Sequence, residues 1–167
     1  MSKKQQLQIS ILVIGVAATI IFLDQLTKIL AIENLTPGIQ QPLLGEIIQL
    51  NLTYNDSAAF SLGNGATSVF AVISFVAALA LLWFVKRVET KSWAAMLGIA
   101  LGGVVGNLID RLFREPGFGR GLVVDFIQIP FNFPIFNIAD SAIVVTAVLV
   151  VIRVMRGEQI GKAKNHD

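Results

Sequence analysis

Four long apolar stretches constrain this chain more than any motif in it. Residues 7–23 carry no charge, and the stretch runs on past Asp24 to Ile32; residues 69–85, 92–109 and about 135–152 follow in the same style. Each is close to the ~20 residues a helix needs to cross roughly 30 Å of hydrocarbon. Lipid offers no partner for a bare amide, so such stretches close their hydrogen bonds within themselves as helices. Charged residues make up only 14% of the 167 positions, against ~25% in a soluble domain. The reading is a mainly α membrane protein, a single integral domain over residues 1–167. Its helices are expected near 9–32, 68–86, 92–111 and 136–155, with outer segments at 33–67 and 112–135.

Lys3 and Lys4 ahead of an apolar run resemble the start of a secretory signal peptide. The run is long for that role and passes into Asp24-Gln25-Leu26-Thr27-Lys28 without a small-x-small cleavage site, so a retained helix is expected. Charge placement sets the orientation. With the N-terminus cytoplasmic, Lys3, Lys4, Lys86, Arg87, Lys91, Arg153, Arg156, Lys162 and Lys164 are inside. Only Arg111, Arg114 and Arg120 are outside, with Lys28 near the outer end of the first helix. Both termini then face the cytoplasm.

In the first outer segment, Ile48-Gln49-Leu50-Asn51-Leu52-Thr53-Tyr54 alternates apolar and polar residues, the period of a half-buried strand. In the second, residues 122–129 are rich in β-formers and end at Pro130. Pairing of the two would give a small β-structure at the outer membrane surface.

The absence of cysteine removes disulfides, thiolate metal sites and a cysteine nucleophile, and the one histidine, His166, lies next to the C-terminus. A histidine-based triad or zinc site in the body of the chain is excluded, and no metal or cofactor is expected. What remains gathers on one side. Asp24, Asp110, Asp125 and Asp140, with Asn55, Asn107, Arg111 and Asn137, all fall at outer helix ends or in outer segments, where acids next to hydrocarbon are costly and functional by default.

Asp140 has two readings. Asn137 three residues before it makes a capping box, and an acid suits a helix N-terminus. Yet residues 141–152 would rise only ~18 Å at ~1.5 Å per residue, so the helix must begin before Asp140, which puts that carboxyl at or below the membrane surface. Asp125, between Val124 and Phe126, faces either water or a partner, and its own residues leave both open. On the third helix Gly98, Gly102 and Gly106 form a smooth stripe for close helix contact, and Asp110 continues it. Asn107 and Arg111, four apart, share a neighbouring face; Arg111 suits a peptide carbonyl or nearby carboxylates. Two carboxylates sharing one proton would activate water and polarise an amide without metal, cysteine or histidine.

Five segments in order carry a family resemblance: Asp24-Gln25-Leu26-Thr27-Lys28, Asn55-Asp56-Ser57-Ala58-Ala59-Phe60, Gly106-Asn107-Leu108-Ile109-Asp110-Arg111, Val124-Asp125-Phe126 and Phe136-Asn137-Ile138-Ala139-Asp140-Ser141. Together with the hydropathy they resemble lipoprotein signal peptidase (signal peptidase II) over nearly the whole chain. The resemblance implies an aspartic endopeptidase of the bacterial inner membrane, with Asp125 and Asp140 as the catalytic dyad. Its substrates would be prolipoproteins, cut before a diacylglyceryl-cysteine. It implies that Asn55, Asn107, Arg111 and Asn137 line or brace the site and that Asp24 and Lys28 support it, with Asp110 and Ala139 counted among the supporting positions. It also implies a surface β-cradle for substrate. The expected partners are those substrates and membrane lipids, with no nucleic acid, and a monomer is expected. One departure is Ser57, where the family has glycine, which allows backbone conformations closed to serine.

The competing reading is an ion-coupled transporter or channel subunit with Asp24, Asp110 and Asp140 as relay carboxylates, which would spread acids through the membrane depth. A Ser/Lys peptidase using Ser57 or Ser61 with Lys28 lacks a lysine near either serine in sequence.

Overall fold

The structure, a computed structural model, describes residues 1–56 and 66–162. The motif residues Ser57, Ala58, Ala59 and Phe60 and the lone His166 lie outside the described residues. Among the described residues four helices are long and apolar enough to cross a membrane: α1 (Lys3–Asn34), α2 (Ala66–Phe84), α3 (Lys91–Phe113) and α4 (Ile138–Met155). Each expected helix is present with ends shifted by a few residues, except α1, which begins well before residue 9. There Ser2 accepts the Gln5 N–H and stabilises a first turn containing both lysines. At ~1.5 Å per residue the 32 residues of α1 span ~48 Å, so the helix outruns the hydrocarbon.

Burial separates α3 from the rest. Some 61% of its most apolar window is inside the protein, against 17% for each of the other three. Lipid-facing helices can be apolar all round, whereas the central one can carry polar groups toward its neighbours, and α3 is the least hydropathic of the four. The glycine stripe makes its contact with α1 close. A Cβ on Gly98 would lie 2.8 Å from the Val13 carbonyl oxygen, one on Gly102 2.6 Å from Ile20 Cβ, and one on Gly106 2.6 Å from Asp24 Oδ2. These contacts advance together along both helices, so α1 and α3 run parallel. Gly103 faces Ala139 and Ile143 of the antiparallel α4 in the same way.

At the end of the bundle where α1 and α3 finish, a three-stranded antiparallel sheet forms in the order β1 (Gln41–Leu44), β2 (Ile48–Asn55), β3 (Val123–Gln128). The two strands expected from sequence pair as expected. β1 carried no alternation and contains Pro42, which an edge strand tolerates because the N–H that proline lacks is not needed by a second neighbour. The alternation along β2 does not map simply onto burial, since Asn51 and Leu52 are both buried. The cause is a bulge: Leu50 pairs with Ile127 and Thr53 with Asp125, so Asn51 and Leu52 together oppose Phe126 alone. Beyond the bulge Asn55 faces the same side of the sheet as Asp125. Leu52, Val124 and Phe126 pack with Ala31 beneath the sheet and fasten it to α1.

Gly102→Leu is expected to lower stability by about 1–3 kcal/mol through overpacking against Ala17 and Ile20. Gly15→Ala, where nothing lies within 4 Å, should be neutral or raise it by up to ~1 kcal/mol through helix propensity. Thermal unfolding in detergent micelles measures both.

Candidate active site

The site is built on a buried ion cluster. Lys28 on α1 and Asp110 on α3 are fully buried, as is Asp24 one turn before Lys28. Lys28 Nζ lies 2.8 Å from Asp24 Oδ2 and 2.8 Å from Asp110 Oδ2. It also donates to Asn107 Oδ1 at 3.0 Å, so all three ammonium hydrogens are engaged. A charge buried without such partners would cost several kcal/mol.

The cluster grips the elements around it. Asp24 Oδ1 accepts the Ala139 N–H at 3.0 Å, which ties the start of α4 to α1. Asp110 Oδ2 accepts the Val124 N–H at 3.2 Å, tying β3 to α3 at the residue before Asp125. Two members went unassigned in sequence. Gln25 Nε2 reaches Asp24 Oδ2, Asp110 Oδ1 and the Gly106 carbonyl, each at 3.1 Å. Arg114 Nε donates to Asp110 Oδ1 at 2.7 Å. The spacing of Arg114 four residues after Asp110 was a legible signal, whereas Gln25 stood inside the first family segment with no role of its own implied.

Above this cluster sit the amides and the remaining acids. Asn107 Nδ2 donates to Asp140 Oδ1 at 2.7 Å. Asn137 Nδ2 donates to Asp125 Oδ1 at 2.7 Å and approaches Asn107 Oδ1 and the Val124 carbonyl at 3.1 and 3.3 Å. The capping box is present too: Asn137 Oδ1 accepts the Asp140 N–H at 2.9 Å and Asp140 Oδ2 accepts the Asn137 N–H at 3.2 Å. The capping reading of Asp140 and its place among the clustered polar groups are therefore compatible, one oxygen serving each. Asn55 Nδ2 donates to Asp125 Oδ2 at 2.8 Å.

Asp125 and Asp140 line one cleft of about 490 Å³, whose other walls include Asn55, Ile129, Phe133, Phe136 and Val144. Burial pushes the Asp125 carboxyl up to about 6, and the Asp140 charge adds to the rise. The Asn55 and Asn137 amides and the Lys28 ammonium oppose it. Arg111 forms no ion pair among the described residues. Its Nη1 donates to the Asn107 carbonyl at 3.2 Å, its guanidinium lies 5.8 Å from the Phe70 ring centre, and its Nε is buried with no hydrogen-bond partner among the described residues. The carboxylates do not spread through the membrane depth as a relay would require. Asp24, Asp110, Asp125 and Asp140 meet at the sheet end of the bundle.

Lys28→Met is expected to cost about 3–5 kcal/mol, because Asp24 and Asp110 would be left buried without their cation. Adding Asp24→Asn should recover a large part of the loss, as measured by denaturant unfolding in micelles.

Known proteins share this architecture. The signal peptidase (SPase) II family model matches residues 16–156. A lipoprotein signal peptidase of Leifsonia xyli subsp. xyli is 41% identical over 159 residues, covering 95% of this chain and 74% of that one. One of Mycobacterium avium is 40% identical over 159 residues, covering 93% and 87%. Among solved structures, a bacterial membrane enzyme determined by the in meso method at 1.9 Å superposes with a TM-score of 0.78 at 26% identity, covering 87% of this chain and 94% of that chain. A second, at 2.3 Å, gives 0.76 at 26% identity, covering 93% and 94%. With spans, sheet and clustered acids already in place, a match over this much of its length means that the chain belongs to the signal peptidase II family of membrane aspartic endopeptidases.

Proposed function

We propose that this protein removes signal peptides from diacylglyceryl-modified prolipoproteins by cutting before the lipidated cysteine, with Asp125 and Asp140 as its catalytic dyad. One observation supports this reading above others: the two carboxyls line a single cleft and are bridged by Asn137, which bonds Asp125 through its side chain and Asp140 through its backbone.

The two acids have different surroundings, which suggests different tasks. Asp125 is 1% exposed and raised to about 6, and a substrate that expels water from the cleft raises it further. It suits the protonated partner. Asp140 sits in the first turn of α4, accepts the Asn107 amide and lines the same cleft, a position that suits the general base. In the proposed cycle Asp140 takes a proton from water as its oxygen attacks the scissile carbonyl carbon, and Asp125 gives its proton to the carbonyl oxygen. The tetrahedral diol collapses when Asp140 hands its proton to the departing amide nitrogen and a diol hydroxyl returns one to Asp125. The C–N bond breaks, water is consumed and the dyad regains its single proton. Arg111, whose Nε has no partner among the described residues, suits a substrate carbonyl; Asn55, Asn107 and Asn137 position the acids. Asp24, Lys28, Asp110 and Ala139 hold the platform beneath.

The chain acts as one integral unit and a monomer in the bacterial inner membrane. The excess of Lys and Arg at the end opposite the sheet favours cytoplasmic termini and an extracytoplasmic site.

The test uses purified full-length protein in micelles with a lipidated prolipoprotein and its unlipidated counterpart. Asp125→Asn and Asp140→Asn should each lose at least ~10²-fold in rate, the scale of acid–base catalysis, and the wild type should leave the unlipidated chain uncut. Near-normal cleavage by either folded variant would remove the dyad assignment.

Stability carries a second expectation. The Asp125 carboxyl titrates at 3.8 when unperturbed and about 6 in the fold. The folded state therefore holds more protons between those values, and this group's contribution to stability falls as pH rises through that window. Asp125→Asn has no such dependence, so unfolding scans should show it gaining on the wild type from pH 4 to 6 and keeping that margin above.

A further inference from the structure

The segment after β3 is unusual for a connection at a membrane surface. From Ile129 to Asn137 it holds no charged residue, and Phe131, Phe133 and Phe136 recur along it, with Pro130 before the first and Pro134 between the last two. It is closed at its base: Phe136 N donates to the Ile127 carbonyl at 3.0 Å and Ile127 N to the Phe136 carbonyl at 2.8 Å. Within this short closed loop Phe133 packs edge-on against Phe136, with ring centres 5.8 Å apart.

At its apex Phe131 is 99% exposed, the most exposed large hydrophobic side chain among the described residues. The turn that displays it is strained, since Phe131 and Asn132 have φ of 68° and 53°, the left-handed region that side chains with a Cβ disfavour. A loop held shut by backbone bonds thus presents a whole aromatic ring outward at a conformational cost.

What covers the ring follows from what adjoins it. Ile129 and Phe133, flanking Phe131, line the dyad cleft, and the same cleft wall includes Val144 and Val145 of α4. Those two are 60% and 54% exposed on a membrane-spanning helix, so the surface around the loop is continuous with the lipid-facing belt. The 18 residues of α4 rise only ~27 Å, which leaves its beginning, and the loop just before it, at the level of the lipid interface. An apolar ring such as Phe gains at that level by burying into the boundary between headgroups and acyl chains.

We infer that the loop around Phe131 is a membrane anchor: Phe131 inserts into the leaflet on the sheet side, and that contact holds the rim of the cleft at the lipid surface. A substrate tethered by acyl chains would then meet the acids at the depth where its own anchor lies. The inference rests on the membrane spans and stands apart from the peptidase reading.

The chain has no cysteine, so single labels can be placed cleanly. Phe131→Cys, Val148→Cys on the lipid face of α4, and Lys3→Cys as a water reference are each spin-labelled in the full chain. They are reconstituted in phosphatidylcholine/phosphatidylglycerol vesicles without substrate, and relaxation by oxygen and by a water-soluble nickel chelate is compared. The expected result is an oxygen-to-nickel ratio at 131 several-fold above that at Lys3 and shifted toward that at Val148. A ratio at 131 equal to that at Lys3 would overturn the anchor. So would a label that leaves water only when a lipidated peptide is added, which would make Phe131 a substrate contact. Unfolding midpoints matching the wild type confirm that each label reports on the native fold.

Discussion

One buried lysine organises the sheet end of this protein. Lys28 has no access to water and spends its three hydrogens on Asp24, Asp110 and Asn107. Each partner then holds something else: Asp24 the start of α4, Asp110 the backbone beside Asp125, and Asn107 the Asp140 carboxyl. A cation in a dry environment makes these contacts obligatory, because losing any one leaves an ammonium hydrogen or a carboxylate without a partner where solvent cannot replace it. The positions of both proposed catalytic acids are thus tied to a single ammonium group.

Around that centre the packing is arranged for close approach. The stripe of Gly98, Gly102 and Gly106 brings α1 against α3 closely enough that a Cβ at Gly106 would strike the Asp24 carboxyl. Small residues at this contact therefore do more than satisfy packing: they leave the space in which the ion cluster forms. Gly103 does the same for α4 against α3. The central helix can hold Asn107 and Asp110 because the other three helices shield it from lipid.

The sheet contributes by register. Its bulge on β2 shifts the alternation so that Asn55 reaches Asp125 across the strand pair, and the packing of Leu52, Val124 and Phe126 on Ala31 fixes β3 over the helices. Asp125 is held in a setting that opposes its ionisation, and the fold tolerates it through bonds from two amides. That pattern of local cost in an otherwise well-satisfied network is expected where chemistry, rather than stability, selects a residue.

Composition and period determined much of this protein alone. Four spans followed from apolar runs because lipid leaves the backbone no alternative, and two strands followed from alternation and β-forming content. The gathering of acids at one end followed from the topology those spans impose. The motif resemblance supplied the family and the roles implied for the acids. Only the tertiary structure decided which groups meet. Lys28 joins acceptors on two helices, Asn137 serves Asp125 and Asp140 at once, and Gln25 enters the cluster from a position with no role of its own implied. β1, with a proline and no alternation, became a strand because a neighbour was there to pair with it. Sequence period reports which face of one element is buried, whereas the partners of a buried polar group are set by elements distant in the chain. That is why the elements were legible and the network joining them was not.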